Sequence, residues 1–465
     1  MHYEELLQHA ATRQVQIAVI GAGDYGRSLI FQAQRVPGLS LVAVCDRELE
    51  NTVAALQTAG FAADQIAICG SPSAAQSALE HGKVIVCDDA LLLMPLPFDV
   101  VVESTGVPEA AAVHAEAAIA NGKHLVMVSK EADSVIGPLL HARAAAAGLV
   151  YTPVDGDQPS LLIQLVLWAR LIGLEVLCAG KASEYDFVYD SQQNLVTCLT
   201  HQASVPAFKR LWDSGDDIAA TAAARSKLLS SIPQHTVADL TEMGIVANAL
   251  GLAVDVPAFH APIARTSEIA DLLVPTDRGG ILGQSGVVDV VNLLRRPDEF
   301  SLAGGVFITV ACEDTRSWEM LRGKGHLVSR NGQAATIAHP IHLLGIQSAS
   351  TLLLAALQGR SSGTREVQQH FDVAGRAQTA LAAGTCLQPH SAHHIIDGVQ
   401  GELQPPAVRA PAAAVPFHML SGHRLAVDVS PGELITYDKI VPPQQPSRLW
   451  TLRQELEERF LIAEC

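Results

Sequence analysis

The stretch QIAVIGAGDYGRSLI, residues 16–30, decides the fold class. An unbroken apolar run, Ile17 to Ile20, meets the pattern Gly21-x-Gly23-x-x-Gly26, and residues 24–35 carry helical spacing. A strand running through glycines into a helix is the context in which this pattern has a mechanism. The first glycine permits a tight turn. The second lets the backbone approach a pyrophosphate, and the third lets helix and strand pack closely. The phosphates then face the free N–H groups of the helix N-terminus. Asp24 and Tyr25 lie inside this loop and are read with Gly21, Gly23 and Gly26 as cofactor contacts. Asp46 stands twenty residues beyond Gly26, closing the next apolar run, LSLVAVCD (39–46), where an acidic side chain bonds ribose hydroxyls. Arg47 beside it suits a 2′-phosphate that Asp46 would repel, so both NAD and NADP stay open.

Working outward, strands and helices alternate: FDVVVESTG (98–106) as strand, PEAAAVHAEAAIANG (108–122) as helix, KHLVMVSK (123–130) as strand, LLHARAAAAG (139–148) as helix and LVYTPVDGD (149–157) as strand. Such alternation implies right-handed βαβ units. The continuous apolar strands imply a parallel sheet covered on both faces. The expectation for residues 1–157 is therefore a doubly wound α/β dinucleotide-binding domain of the Rossmann type.

At 465 residues the chain exceeds one core. Residues 158–360 read as a central α+β catalytic and dimerisation domain, with helical stretches at 216–230 and 237–250. A single amphipathic helix, 343–358, is expected to return to the first domain. SSGT (361–364) reads as a linker, residues 365–442 as a small all-β unit with Pro-rich loops, and 443–465 as a tail with a short charged helix.

The balance of 31 basic to 48 acidic residues, net −17 and without a basic block, argues against nucleic acid or an anionic membrane as partner. The eight cysteines form no C-x-x-C pair, and Met1 to Gln14 lacks the apolar run of a signal peptide. A reducing, cytoplasmic setting is expected. The longest apolar stretch, Ser160 to Gly180, is interrupted by Gln164, Arg170 and Glu175, which fits a buried helix and strand rather than a membrane span.

Candidate chemistry collects where strands end, which is where open α/β sheets bind ligands. Ser104-Thr105-Gly106 is placed beside the nicotinamide, although an ordinary strand-to-helix turn has the same composition. Lys130 is a candidate for a carbonyl oxygen or a cofactor ribose. Asp155 and Asp157 offer oxygens to substrate hydroxyls or a hard divalent cation, with Asp157 alternatively capping the next helix. Lys181 is a candidate acid for a developing alkoxide. On the helix around DLTEM, Asp239 and Glu242 share a face at i,i+3, and Glu242 and Asn248 are read as substrate contacts. His390, His393 and His394 stand beside no other ligand set and give no metal site.

These segments together resemble a known family. The Gly loop, VSKEAD (128–133), YTPVDGDQP (151–159), AGK (179–181), DLTEM (239–243) and AHPIHLLG (338–345) are similar to the homoserine dehydrogenase-like oxidoreductases. Within them the similarity is to the branch with a C-terminal SAF domain, which includes the 1-deoxy-D-xylulose 5-phosphate reductoisomerase-like enzymes. AGTCL (383–387) and VDVSPGELITYDKIV (427–441) match the SAF pattern, and the resemblance spans residues 15–442. It implies NAD(P)-linked chemistry at a carbonyl, a homodimer or higher homo-oligomer, and catalytic roles for the lysines at Lys130 and Lys181. AGKASEYD (179–186) stands where homoserine dehydrogenases carry Asn-Gly-Thr, and no ACT-like tail follows, so homoserine is disfavoured.

The reading that results is an NAD(P)H-dependent reductase of a small polyhydroxylated or phosphorylated carbonyl compound, reductoisomerase-like, with Mg²⁺ or Mn²⁺ as a candidate metal. The alternatives are a plain dehydrogenase of a sugar acid, polyol or homoserine, and a dinucleotide sensor without turnover.

Overall fold

The computed structural model describes residues 3–390 and 394–462; His393, in the histidine run above, lies outside them. The first domain runs α1 (Tyr3–Thr12), β1 (Val15–Ile20), α2 (Asp24–Ala33), β2 (Leu39–Cys45), α3 (Leu49–Ala59), β3 (Ile66–Ile68), α4 (Pro72–Glu80) and β4 (Val84–Cys87). It continues with β5 (Val100–Glu103), α5 (Pro108–Ala120), β6 (His124–Met127), α6 (Lys130–Ala146) and β7 (Tyr151–Thr152). Its seven strands form one parallel sheet in the order β3-β4-β2-β1-β5-β6-β7. The winding reverses between β1 and β5, so the crevice off their carboxyl ends is the ligand position of such a sheet.

Three elements of this domain depart from the sequence expectation. β3 and β4 have apolar runs too short to show a period and were not read as strands. α6 begins at Lys130, not at residue 139, and contains Pro138. A proline inside a helix frees the carbonyl four residues earlier. Here that carbonyl, on Ser134, accepts a hydrogen bond from Gln369 Nε2 at 3.3 Å, so the helix continues. Lys130 consequently opens a helix and does not end a strand.

The central domain contains α7 (Gln158–Leu171), β8 (Val176–Asp190), β9 (Leu195–Cys198), β10 (His201–Ser204), α8 (Ile218–Leu228), α9 (Val237–Leu250), β11 (Ala253–Val254) and β12 (Ile263–Ala264). After these come α10 (Ile269–Leu272), β13 (Val287–Arg295), β14 (Val306–Ala311), α11 (Thr315–Gly323), β15 (Leu327–Val328) and β16 (Ala334–His339). The sheet is mixed: β10-β9-β8-β14-β16-β15, with β13 parallel to β8 and carrying β11 and β12. Helices α7 and α9 pack against it. α9 is apolar almost all round and buried, so its Asp239 and Glu242 must find cationic partners.

The expected helix 343–358 is broken. Leu344–Ile346 form one 3₁₀ turn, and α12 spans Ala349–Gln358. The break lets Gly345 touch α2, where a Cβ would lie 2.5 Å from Leu29 N and from Tyr25 O. Beyond it α12 does return to the first domain. Leu352, Leu353 and Leu354 are buried with Val15, Ile17 and Val19, each contributing about 1.5–3 kcal/mol of apolar burial.

The C-terminal unit is built on β17 (Asp372–Ala377) and β18 (Val399–Gln404), an antiparallel pair extended by isolated bridges. The last helix, α13 (Arg448–Glu457), is no solvated tail. Leu449, Trp450, Leu452 and Leu456 are buried, and Arg453, 2% exposed, donates to both oxygens of Asp372 at 2.6 Å and to Glu457 at 2.8 Å. Among the described residues no helix is long and apolar enough to cross a membrane.

Candidate active site

The glycine loop is shaped as a phosphate cradle. Gly21 holds φ +96° and donates its N–H to Cys45 O at 2.8 Å, which turns the chain off β1. A Cβ on Gly26 would lie 2.0 Å from the Gly21 carbonyl oxygen, so only glycine lets α2 sit against the turn. Gly23, the N-cap of α2, has nothing within 4 Å of its Cβ position, and no side chain caps the helix. Its first N–H groups are therefore open to an anion, which fits a dinucleotide pyrophosphate.

Asp46 accepts from Ala22 N at 2.7 Å and from Glu48 N at 3.0 Å. It borders a cavity of about 460 Å³ lined also by Gly21, Gly23, Arg47, Ser104 and Thr105. The hydroxyls of the last two point into the protein. Ser104 Oγ lies 2.9 Å from the carbonyls of Ile20 and Gly21, and Thr105 Oγ1 donates to Glu103 at 2.7 Å. Both brace the cradle, and what they offer a cofactor is backbone. Tyr25 also turns away: its hydroxyl meets Ser348 Oγ at 2.7 Å and ties the cofactor helix to the 340s segment. Asp24 is exposed on the first turn of α2.

Off β5, Gly106 donates to Ser129 Oγ at 2.8 Å, and Ser129 precedes Lys130. Here the two domains bring five charged side chains together. Glu242 on α9 pairs with Lys130 from α6 through one oxygen and with Lys181 from β8 through the other. Lys181 also reaches Asp239 at 2.8 Å, and Lys130 reaches Asp157 at 3.6 Å. Ser183 Oγ donates to the second oxygen of Asp239 at 2.7 Å. Lys181 is 1% exposed, while the Lys130 side chain keeps 24% of its surface open. Burial alone would strip charge from all of these groups. For the lysines the facing carboxylates outweigh it and hold both ammonium groups above their ordinary range. For Glu242 the two lysines outweigh it and hold the carboxyl below its ordinary range.

The sign of that last shift gives a testable consequence. Stability from the Glu242 pairing is fully present above the ordinary carboxylate range and is lost as pH falls through it toward the lower folded value. Denaturant unfolding at pH 7 and pH 4 will show a loss of about 1–3 kcal/mol at the lower pH. Glu242→Gln will remove the part of that slope which Glu242 carries.

Two sequence candidates are not in this cluster. Asp155 spends both oxygens on the scaffold, accepting from Ser160 Oγ and Gln164 Nε2 at 2.6 Å and from Ser350 Oγ at 2.5 Å. Asn248 clamps the chain ahead of β17, accepting from His370 N and Phe371 N at 2.8 Å. Both read as ligands in sequence because they are polar residues among apolar neighbours, the same signature that a buried structural polar group leaves. Asp157, 3.6 Å from Lys130, also accepts from Gln158 N at 3.0 Å as the cap of α7.

His342 is the participant that the residue-by-residue reading passed over, although it lies within AHPIHLLG. Burial lowers its pKa, and the charges of Asp157, Glu242, Lys181 and Lys130 act on it. Its Nε2 is buried without a hydrogen-bond partner. A Cβ at Gly304 would lie 2.8 Å from its Nδ1, so that glycine makes room for the ring. No group of three or more His, Cys, Asp or Glu among the described residues converges as metal ligands. The carboxylates of this cluster are already paired with lysines, so the donor set does not fit a divalent cation.

Residues 21–153 match the family model for the homoserine dehydrogenase NAD binding domain, and residues 156–348 match the model for the catalytic domain of oxidoreductase DRL. No curated protein matches the chain. Among solved structures, 1-deoxy-D-xylulose 5-phosphate reductoisomerase from Zymomonas mobilis in complex with NADPH is similar at 17% identity and a TM-score of 0.28, over 37% of this chain and 47% of that one. Biliverdin reductase from Synechocystis sp. PCC 6803, in complex with biliverdin and NADP⁺, is similar at 18% identity and a TM-score of 0.26, over 38% and 47%. The chain spans about half the length of the structures it matches. With its NAD-binding domain continuing into a DRL catalytic domain, the chain belongs to the NAD(P)-dependent oxidoreductases of the DRL and homoserine dehydrogenase-like family.

Proposed function

We propose that the chain reduces a small polyhydroxylated or phosphorylated carbonyl compound in the manner of a 1-deoxy-D-xylulose 5-phosphate reductoisomerase. The observation that carries this reading is the pair of ammonium groups sharing one buried carboxylate beside the cofactor crevice. Bound NAD(P)H supplies the hydride. Lys181 holds a proton for the oxygen that becomes an alkoxide, and Glu242 with Asp239 keeps Lys181 charged until that proton leaves. Lys130, the more exposed of the two, orients the substrate oxygens with Asp157. The unpartnered Nε2 of neutral His342 accepts a substrate hydroxyl, the group whose deprotonation starts a skeletal rearrangement. The carbonyl is polarised here by ammonium groups, and no step runs through a metal.

The test is NADPH and NADH oxidation with 1-deoxy-D-xylulose 5-phosphate, with and without Mg²⁺, followed by product analysis. A rearranged polyol phosphate formed as cofactor is oxidised supports the reading. Oxidation without rearrangement, or turnover only with sugar acids, polyols or homoserine, replaces it with a plain dehydrogenase. Cofactor binding without turnover on any of these leaves a sensor.

Cofactor choice rests on Asp46. Its carboxylate faces the same cavity as Asp88 and Asp89, against the single Arg47. Replacing Asp46 with serine removes the charge that opposes a 2′-phosphate. The ratio of NADPH to NADH affinity is expected to rise about tenfold, roughly 1.4 kcal/mol. An unchanged ratio in parallel fluorescence titrations would remove Asp46 from the ribose site.

A further inference from the structure

The C-terminal β unit reaches the catalytic helices. His394 Nε2 lies 3.2 Å from Glu131, the neighbour of Lys130. His418 Nε2 lies 2.9 Å from Thr241 Oγ1, the neighbour of Glu242. The two imidazoles meet edge to face, 5.6 Å between centroids. Between them and the β5–α5 turn lies a cleft of about 240 Å³, whose wall includes Gly106, Gln388, Phe417 and Ser421. Through Gly106 and Ser129 this cleft adjoins the lysine cluster.

Its chemistry is specific. Thr241 Oγ1 donates to Val237 O at 2.7 Å, so it accepts from His418, which must carry its proton on Nε2. His418 Nδ1 is then a bare acceptor without a partner among the described residues. Ser421 and Gln388 are exposed and donate as well as accept. Among the described residues neither lysine nor arginine lines the cleft, so an anion would find no permanent cation there. Phe417 supplies an apolar wall of the kind that packs against a carbon chain.

We propose that this cleft is a binding subsite for a neutral hydroxyl-bearing group, closed over the nicotinamide end of the cofactor crevice by the C-terminal β unit. It deepens the reading of a polyhydroxylated substrate and rests on it. The hydroxyls come from the distal end of that substrate or from the cofactor's nicotinamide ribose.

The test uses the full chain with ¹⁵N-labelled histidine, read by two-bond imidazole spectra, which need no turnover. NADPH is titrated first, then glycerol, erythritol and xylitol onto the NADPH complex, with inorganic phosphate as a separate arm. A saturable shift of the His418 Nδ1 resonance with NADPH assigns the subsite to the ribose. A shift only with the polyols, stronger with chain length, assigns it to substrate. No His418 response to either, or a response to phosphate alone, overturns the proposal. Ser421→Ala and Gln388→Ala alter exposed side chains, so the fold survives them. Together they are expected to weaken the responding ligand about tenfold, and an unchanged affinity counts against the subsite. These results stand apart from the activity assay: failure to turn over 1-deoxy-D-xylulose 5-phosphate removes that substrate and leaves the His418 response to be judged on its own.

Discussion

Replacing Lys181 with methionine is expected to lower kcat by about a thousandfold or more while NAD(P)H affinity stays within a fewfold of the parent. A positioned general acid contributes about 10²–10⁴-fold. Lys181 is the more buried lysine of the cluster, held by two carboxylates, and among the described residues no other cation pairs with Asp239. The dinucleotide crevice lies on the other domain and contributes none of these contacts. The substitution also leaves Asp239 without its cation and Glu242 with Lys130 alone. Removing one partner from a buried pair costs about 3–5 kcal/mol, so the variant will melt earlier. Equal kcat with the parent would exclude Lys181 as the acid. Lost activity with normal stability at every pH would mean that the ion-pair network is not what holds this corner together.

Gly26→Ala is expected to raise the NAD(P)H dissociation constant at least a hundredfold and to lower stability by about 1–3 kcal/mol, the usual range for overpacking. The new methyl would lie 2.0 Å from Gly21 O and 3.0 Å from Gly21 C, both backbone atoms. Neither can yield locally, since Gly21 N is bonded to Cys45 O and Gly21 O accepts from Ser104 Oγ. The helix must move instead. Moving α2 disturbs the first N–H groups offered to the pyrophosphate, and it also pulls on Gly345, which touches α2 at Leu29 and Tyr25. Because the 340s segment bears His342, a fall in kcat beyond the loss of cofactor affinity is expected. Isothermal titration with NADH and NADPH reads the first effect, and saturating-cofactor kinetics the second. Unchanged cofactor affinity would mean that the dinucleotide does not enter through this loop.

Much of the first domain was legible in the chain because its signals are local. Strand, glycine turn and helix occur within fifteen residues, and Gly21 and Gly26 answer steric needs of that same turn. The acid at Asp46 follows at a spacing fixed by one βαβ unit. The helix of residues 237–250 was legible too, whereas Lys181, expected where a strand ends, lies within β8, which runs on from Val176 to Asp190. Short runs such as β3 and β4 were not legible, because three or four residues carry too little periodicity to separate from a loop. The start of α6 was hidden by Pro138, whose freed carbonyl is bonded by Gln369 from far along the chain.

Sequence alone determined which residues were chemically capable: the glycine loop, Asp46, Lys130, Lys181, Asp157 and Glu242. Only the tertiary structure decided which of them meet. Asp155 and Asn248 looked no different from Glu242 as polar residues on apolar elements, yet their hydrogen-bonding capacity goes to the scaffold. Glu242 instead lies between lysines 112 and 61 residues away. The contribution of the C-terminal unit, through His394 and His418, also depends on long-range packing. Local spacing sets what a turn or a helix face can present, because those atoms are covalent neighbours. Ion pairing in a buried site depends on which elements pack together, and that is set by the burial of apolar surface over the whole chain.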